Sequence, residues 1–271
     1  MRVLIMADME GVTGITQWSQ VTGGAPMYEE GRVLYTEEIN AAVRGAKEAK
    51  ATEIVVVDCH GAGKEWNFNS LVPELIDEDC DWVAGHEWGR YTEMWETGCD
   101  ACLLIGMHAR SLTPDGGMAH TISGVMYRNL WFNEDRVGET GVNAALNGHY
   151  RVPVVLVTGD EAVCREAKEL LGEALPTVAV KKSLTTSSAR QIAPVRARRM
   201  IQQAAREALG DLGVVPPYVP TRPTTIRIEV PIPAKLAPFK GRSGVEITGE
   251  TTAESRAGDW MTAWNQFWPF A

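Results

Sequence analysis

A chain of 271 residues, 45% apolar and 23% charged, has the make-up of a globular protein able to bury a sizeable core in one large domain or two lobes. Its 26 Lys and Arg stand against 35 Asp and Glu, and the resulting net charge of −9 excludes nucleic acid as a natural partner. No apolar run reaches the ~18 residues of a membrane span, no signal-peptide pattern opens the sequence, and five cysteines without disulfide-scaffold density fit a reducing cytoplasm.

The first element is the apolar run Val3-Leu4-Ile5-Met6, which reads as a buried strand. Asp8-Met9-Glu10-Gly11 follows it at once. In extended chain, residues i and i+2 point to one side, so the Asp8 and Glu10 charges crowd together unless a cation neutralises them. Tyr35, Ile39, Ala42, Val43, Ala46 and Ala49 then fall on one helical face. Ile54 to Val57, Ala101 to Ile105 and Val152 to Val157 are further β-branched or apolar runs. Strand and helix alternating in this way predict an α/β fold, with a three-layer, mostly parallel sheet.

Trp131 to Val137 reads as a hairpin with a polar tip, and a helix is expected from Gly138-Glu139-Thr140-Gly141 through His149. The character changes near residue 185. A basic helix is expected from Val195 to Leu209, opened by Pro194 in its first turn. A Pro-rich linker, strands over Thr225 to Val230 and Val245 to Ala253, and a last helix capped by Asp259 follow. These predict a catalytic α/β domain over 1–185 and a smaller α+β lobe over 186–271, with a role in oligomerisation. Trp260, Trp264 and Trp268 form one stripe on the last helix, suited either to core packing or to a subunit interface.

Three strand ends carry metal-ligand residue types. They are Asp8 and Glu10 after the first strand, His60 in Asp58-Cys59-His60-Gly61, and His108 in Gly106-Met107-His108-Ala109-Arg110. The carboxyl ends of parallel strands share one edge of the sheet, where ligands bind. Two imidazoles and a D-x-E pair converging there suit zinc and its neighbours. Asp58 reads as an acceptor that orients His60 or as a capping residue. Glu139 reads alone as a helix-start carboxylate, between glycines that permit close approach. His120 closes the Gly-rich loop Pro114 to Ala119, either as an acid/base group or as a surface histidine. His86 and His149 read as structural. Cys99-Asp100-Ala101-Cys102 matches C-x-x-C but runs into an apolar strand rather than opening a helix, which argues against a redox pair. No G-x-S-x-G elbow, complete phosphate loop, dinucleotide fingerprint or H-E-x-x-H is present.

Taken as a set, Asp8-Met9-Glu10-Gly11, Asp58-Cys59-His60, Gly106 to Arg110, Met118-Ala119-His120 and Val137 to Gly141 resemble the M55 family of zinc D-aminopeptidases. The resemblance covers most of the chain and is strongest through residue 160. It implies two zinc ions per subunit. Asp8 bridges them, Glu10 and His108 complete one site, and His60 and Glu139 complete the other. It implies His120 as the catalytic histidine, and a ring-shaped homodecamer whose sites face an internal chamber. The expected reaction is removal of the amino-terminal residue of short peptides by a metal-held hydroxide, the peptide needing its free amine. Manganese or cobalt suits the same ligands. The alternatives are another two-metal amidase or hydrolase, or a non-catalytic dipeptide-binding protein. The aromatic stretch His86 to Trp95 shapes either a substrate pocket or the packing.

Overall fold

The computed structural model describes residues 1–87 and 90–268, so Trp88 of the aromatic stretch lies outside the described residues. In chain order the elements are β1 (Arg2–Ala7), α1 (Tyr28–Glu48), β2 (Glu53–Asp58), β3 (Asp81–Val83), α2 (Glu93–Glu96), β4 (Ala101–Met107), β5 (Asn129–Phe132), β6 (Asp135–Val137), α3 (Glu139–His149), β7 (Val154–Asp160), α4 (Glu161–Leu171), β8 (Thr177–Thr185), β9 (Ser188–Gln191), α5 (Pro194–Ala208), β10 (Thr224–Glu229), β11 (Val245–Ile247), β12 (Thr252–Ala257) and α6 (Trp260–Phe267).

Seven strands form the main sheet in the order β3-β2-β1-β4-β7-β8-β9. Every neighbouring pair is parallel except β8 with β9. The chain runs outward from β1 through β2 to β3, then returns to the other side of β1 to lay down β4. Between β1 and β4 the strand order reverses, which is where an open parallel sheet forms a crevice at its carboxyl edge. Both faces of β1 are covered, which explains why its sequence is a continuous apolar run rather than an alternation. Val3, Ile5 and Ala7 join the core under α1 and α5. Leu4 and Met6 join the core that contains α3, α4 and the second sheet.

That second sheet is antiparallel, in the order β11-β12-β10-β5-β6. It takes the β5–β6 hairpin from before residue 185, while β9 and α5 from after it belong to the main sheet and its helical layer. The boundary between the two sheets therefore does not fall at residue 185 along the chain. Phe132, Ile226, Ala253 and Trp264 share one apolar cluster with Leu4 and Met6, so the second sheet packs on the first through a common core. The segment Val245 to Ala253 is two strands rather than one, because Gly249 and its neighbours turn the chain back and pair β11 with β12.

The Trp stripe of α6 packs inward. Trp260 and Trp264 stack with centroids 5.1 Å apart and meet Phe132 edge-on. Asp259 caps the helix by accepting from the Thr262 amide. In the aromatic stretch, Trp95 is packing: it is buried, stacks on Tyr150 at 5.3 Å and donates to Asn147. Burial raises the Cys99 thiol to about 11 and pushes buried Cys102 well above the usual range, opposing thiolate chemistry at the C-x-x-C pair. No helix among the described residues is long and apolar enough to cross a membrane.

Candidate metal centre

The ends of β1, β2 and β4 deliver Asp8, His60 and His108 to the crevice, and the first turn of α3 delivers Glu139. Two glycines permit this convergence. A Cβ on Gly11 would overlap the Met107 and Gly106 carbonyl oxygens, and one on Gly106, at φ +72°, would overlap the Asp8 carbonyl. With hydrogen in those places, Gly11 donates to Gly106 at 2.8 Å and the Asp8-to-Gly11 turn lies directly on the end of β4.

The two carboxylate oxygens of Asp8 face different histidines. Oδ1 lies 3.0 Å from His60 Nδ1, and Oδ2 lies 3.3 Å from His108 Nε2. Glu10 Oε2 stands 3.2 Å from His60 Nδ1, and Glu139 Oε1 stands 3.2 Å from His108 Nε2. Asp8, Glu10, His60 and His108 are all buried. Each histidine has its other ring nitrogen against a backbone carbonyl: His60 Nε2 at 2.7 Å from Val21 O and His108 Nδ1 at 3.0 Å from Ala109 O. A carbonyl only accepts, so that nitrogen carries the hydrogen, and in the neutral ring the nitrogen facing the carboxylates is a bare lone pair. Asp8 Oδ2, Glu10 Oε2 and His108 Nε2 make no hydrogen bond.

Electrostatics describe the same excess of negative charge. Burial opposes a charged His60, but the Glu10 and Asp8 carboxylates beside it outweigh that, raising the ring well above the usual histidine range. His108 is raised in the same way by Glu139 and Asp8. Burial would lift Asp8, yet the His108 and His60 rings beside it hold it well below the usual carboxylate range. Buried carboxylates and imidazole lone pairs turned on one another require cations. Nitrogen and carboxylate oxygen donors in this mixture fit zinc.

Two compact donor groups stand out among the described residues, Asp8 with Glu10 and His108, and His108 with His120 and Glu139. The first is one of the ligand sets implied by sequence resemblance. The second implied set is less direct, since His60 faces Asp8 and Glu10, and Glu139 faces His108. The His120 ring stacks on that of His108 with centroids 4.0 Å apart, meets Trp18 edge-on at 5.4 Å, and brings Nε2 to 3.7 Å from Glu139 Oε1. Its Nδ1 lies 3.0 Å from Met118 O. Asp58 caps rather than orients the ring. It accepts from the His60 and Ser70 amides and from the Tyr35 hydroxyl, and so holds the backbone beneath His60.

A cavity of about 560 Å³ opens over the group, with apolar walls that include Trp18, Val21, Phe68, Val125, Trp264 and Trp268. The D-aminopeptidase family M55 matches residues 1–268. The chain belongs to that family. It is 32% identical over 267 residues to a D-aminopeptidase of Bacillus subtilis (strain 168), covering 97% of this chain and 94% of the relative. The solved structure of the Zn-dependent D-aminopeptidase DppA from Bacillus subtilis, a self-compartmentalizing protease, superposes with a TM-score of 0.90 at 31% identity, over 98% of this chain and 95% of that one. The M55 chain described here is thus a metallo-aminopeptidase.

Sequence reasoning missed Lys181 on β8. Its buried ammonium donates to the carbonyls of Glu10, Val12 and Ile15 at 2.5, 2.9 and 2.6 Å. Burial lowers it to about 8. In sequence it is one of two adjacent lysines. What turns it inward is an irregularity in pairing with β7, where Gly159 opposes Ala179 but Asp160 opposes Lys181.

Proposed function

We propose that this chain removes the amino-terminal D-residue of short peptides with a dinuclear zinc centre. Asp8 is the bridging ligand, and Glu10, His60, His108 and Glu139 are the terminal ligands. The observation that carries the reading is Asp8 itself, whose two carboxylate oxygens are turned toward two different histidines. When bound, two zinc ions supply a nucleophilic water with a pKa near 7 and polarise the scissile carbonyl. Manganese or cobalt would be held by the same donors.

The chain's own residues supply the rest. Met118 O fixes the hydrogen of His120 on Nδ1, which leaves Nε2 facing the cavity side of Glu139. There Nε2 holds a proton with the Glu139 charge beside it, and passes it to the leaving amine as the tetrahedral intermediate collapses. Covalent attack by the ring is not needed, because the two metal ions would supply the nucleophile. Trp18 and the His108 ring confine the His120 side chain between them.

Matched D-Ala and L-Ala dipeptides, each with a free or acetylated amino terminus, test the reading on zinc-replete protein. Only the free D-peptide should be cleaved, and a chelator should abolish cleavage. Equal turnover of acetylated peptide would make the protein an amidase instead. Tight binding without cleavage would make it a peptide-binding protein.

The assembly we propose is a homodecamer with the sites facing an inner chamber, a reading supported by the self-compartmentalizing relative. Ten copies of 29.7 kDa make about 300 kDa. Sedimentation velocity at a single-chain mass would refute it.

A further inference from the structure

One strand touches both halves of the proposed catalytic apparatus. On β8, Lys181 and Ser183 are two residues apart and both are buried. Lys181 reaches the turn after β1. An ammonium has three donors, and all three are engaged by the Glu10, Val12 and Ile15 carbonyls. Ser183 reaches in another direction. Its hydroxyl donates to Asp160 Oδ2 at 2.8 Å, and the same oxygen accepts from the Gly117 amide at 2.9 Å. The next amide, Met118 N, donates to Thr186 O at 2.9 Å, just past the end of the strand. Met118 itself carries, on its next peptide, the carbonyl that sets the tautomer of His120. Asp160 Oδ1 is occupied separately, capping α4 through the Val163 amide at 2.9 Å.

We propose that β8 is an alignment strand: Lys181 positions the backbone that carries Glu10, and Ser183, through Asp160, positions the Gly117-Met118 segment whose Met118 carbonyl orients His120. The inference rests on reading Glu10 as a metal ligand and His120 as the catalytic histidine. Neither β8 residue is itself catalytic. Each holds the backbone next to a working side chain, and a shift of about 1 Å at such a site costs about a hundredfold in rate. The two arms have different signatures. Losing the Lys181 clamp frees the Glu10 turn and weakens metal binding. Losing the Ser183 link leaves the metal in place and loosens the ring that moves the proton.

The test uses full-length protein. Zinc affinity is read by competition with a chromophoric chelator, folding by circular dichroism, and kcat and KM on a D-Ala peptide. Lys181→Met should bind zinc about tenfold or more weakly, as orienting partners of metal ligands do, with excess zinc restoring turnover. Ser183→Val should keep wild-type zinc affinity and KM while kcat falls about tenfold. Ser183→Thr, the same shape with the hydroxyl returned, should recover it.

Wild-type zinc affinity in folded Lys181→Met overturns the first arm. Wild-type kcat in Ser183→Val, or a loss equally large in Ser183→Thr, overturns the second. If Lys181→Met does not fold, Lys181→Gln, which keeps two donors, gives the same affinity reading. The zinc measurement needs no peptide, so the two failures separate. A wild type that cleaves nothing but loses zinc affinity on Lys181→Met defeats the aminopeptidase reading alone. An active wild type matched by both variants defeats the alignment strand alone.

Discussion

Asp8 and His120 make opposite predictions at the scale of single residues. Asp8 faces both imidazoles, so Asp8→Ala removes the shared ligand and should leave less than one zinc per chain by metal analysis. His120→Ala should keep both ions and lose turnover, since Glu139 and His108 face each other without it. Two zinc ions retained in Asp8→Ala would end the bridging assignment. The convergence of Asp8, Glu10, His60 and His108 was legible in the sequence, because crowded carboxylates and histidines at successive strand ends are a local pattern with a shared edge. Glu139 was legible by resemblance but not by position, since the first turn of a helix is where a carboxylate sits for other reasons. Lys181 was not legible at all. Its inward orientation depends on the irregular pairing of β7 with β8, and adjacent lysines otherwise read as solvated surface.

At the scale of elements, α1 shows how the helical layer grips the turn that bears Asp8 and Glu10. Its Glu38 is fully buried and accepts from the Thr13 amide at 2.9 Å. Burial raises its carboxyl from 4.5 to about 7, against the opposing hydrogen bond from Thr13 and the charges of Lys181 on β8 and Arg198 on α5. An acid raised in the folded state binds more protons there than when unfolded, between pH 4.5 and about 7. Its contribution to stability therefore declines as pH rises through that window and is flat above it. Glu38→Gln removes the titration. The variant should gain on the wild type across the window, reaching about 3 kcal/mol above pH 7 for a shift of this size. Thermal unfolding of both proteins at pH 5 and pH 8 checks it, and a difference independent of pH rules it out. The helix was readable from its apolar face, and Tyr35, Ile39, Ala42, Val43 and Ala46 are all buried. Its first turn was not, because Tyr28 is buried by a hydrogen bond to Ser70 from a distant loop rather than by local periodicity.

For the whole molecule, the two sheets meet at the cavity over the Asp8–His108 cluster. The parallel sheet supplies the polar floor, while α6, packed on the antiparallel sheet, and the residue just after it supply Trp264 and Trp268 to the wall. The sequence indicated both sets of strands but not this division of labour. The β5–β6 hairpin joins strands about a hundred residues later, and no local pattern encodes that pairing. Trp264 is buried in the core and a poor target. Trp268, past the end of α6, is partly exposed and is held by its indole donating to the Tyr127 hydroxyl at 3.1 Å. An apolar wall of this kind favours a bulky apolar side chain in the substrate, and each contact there is worth only a modest factor. Trp268→Ala should therefore lower kcat/KM about tenfold for a D-Phe or D-Leu peptide and leave a D-Ala peptide nearly unchanged, with zinc content intact. An equal loss on both peptides would mean that Trp268 supports the fold of α6 rather than the substrate. A selective loss on D-Ala would place the substrate side chain on another wall, because removing an indole only enlarges the space available to the larger residue.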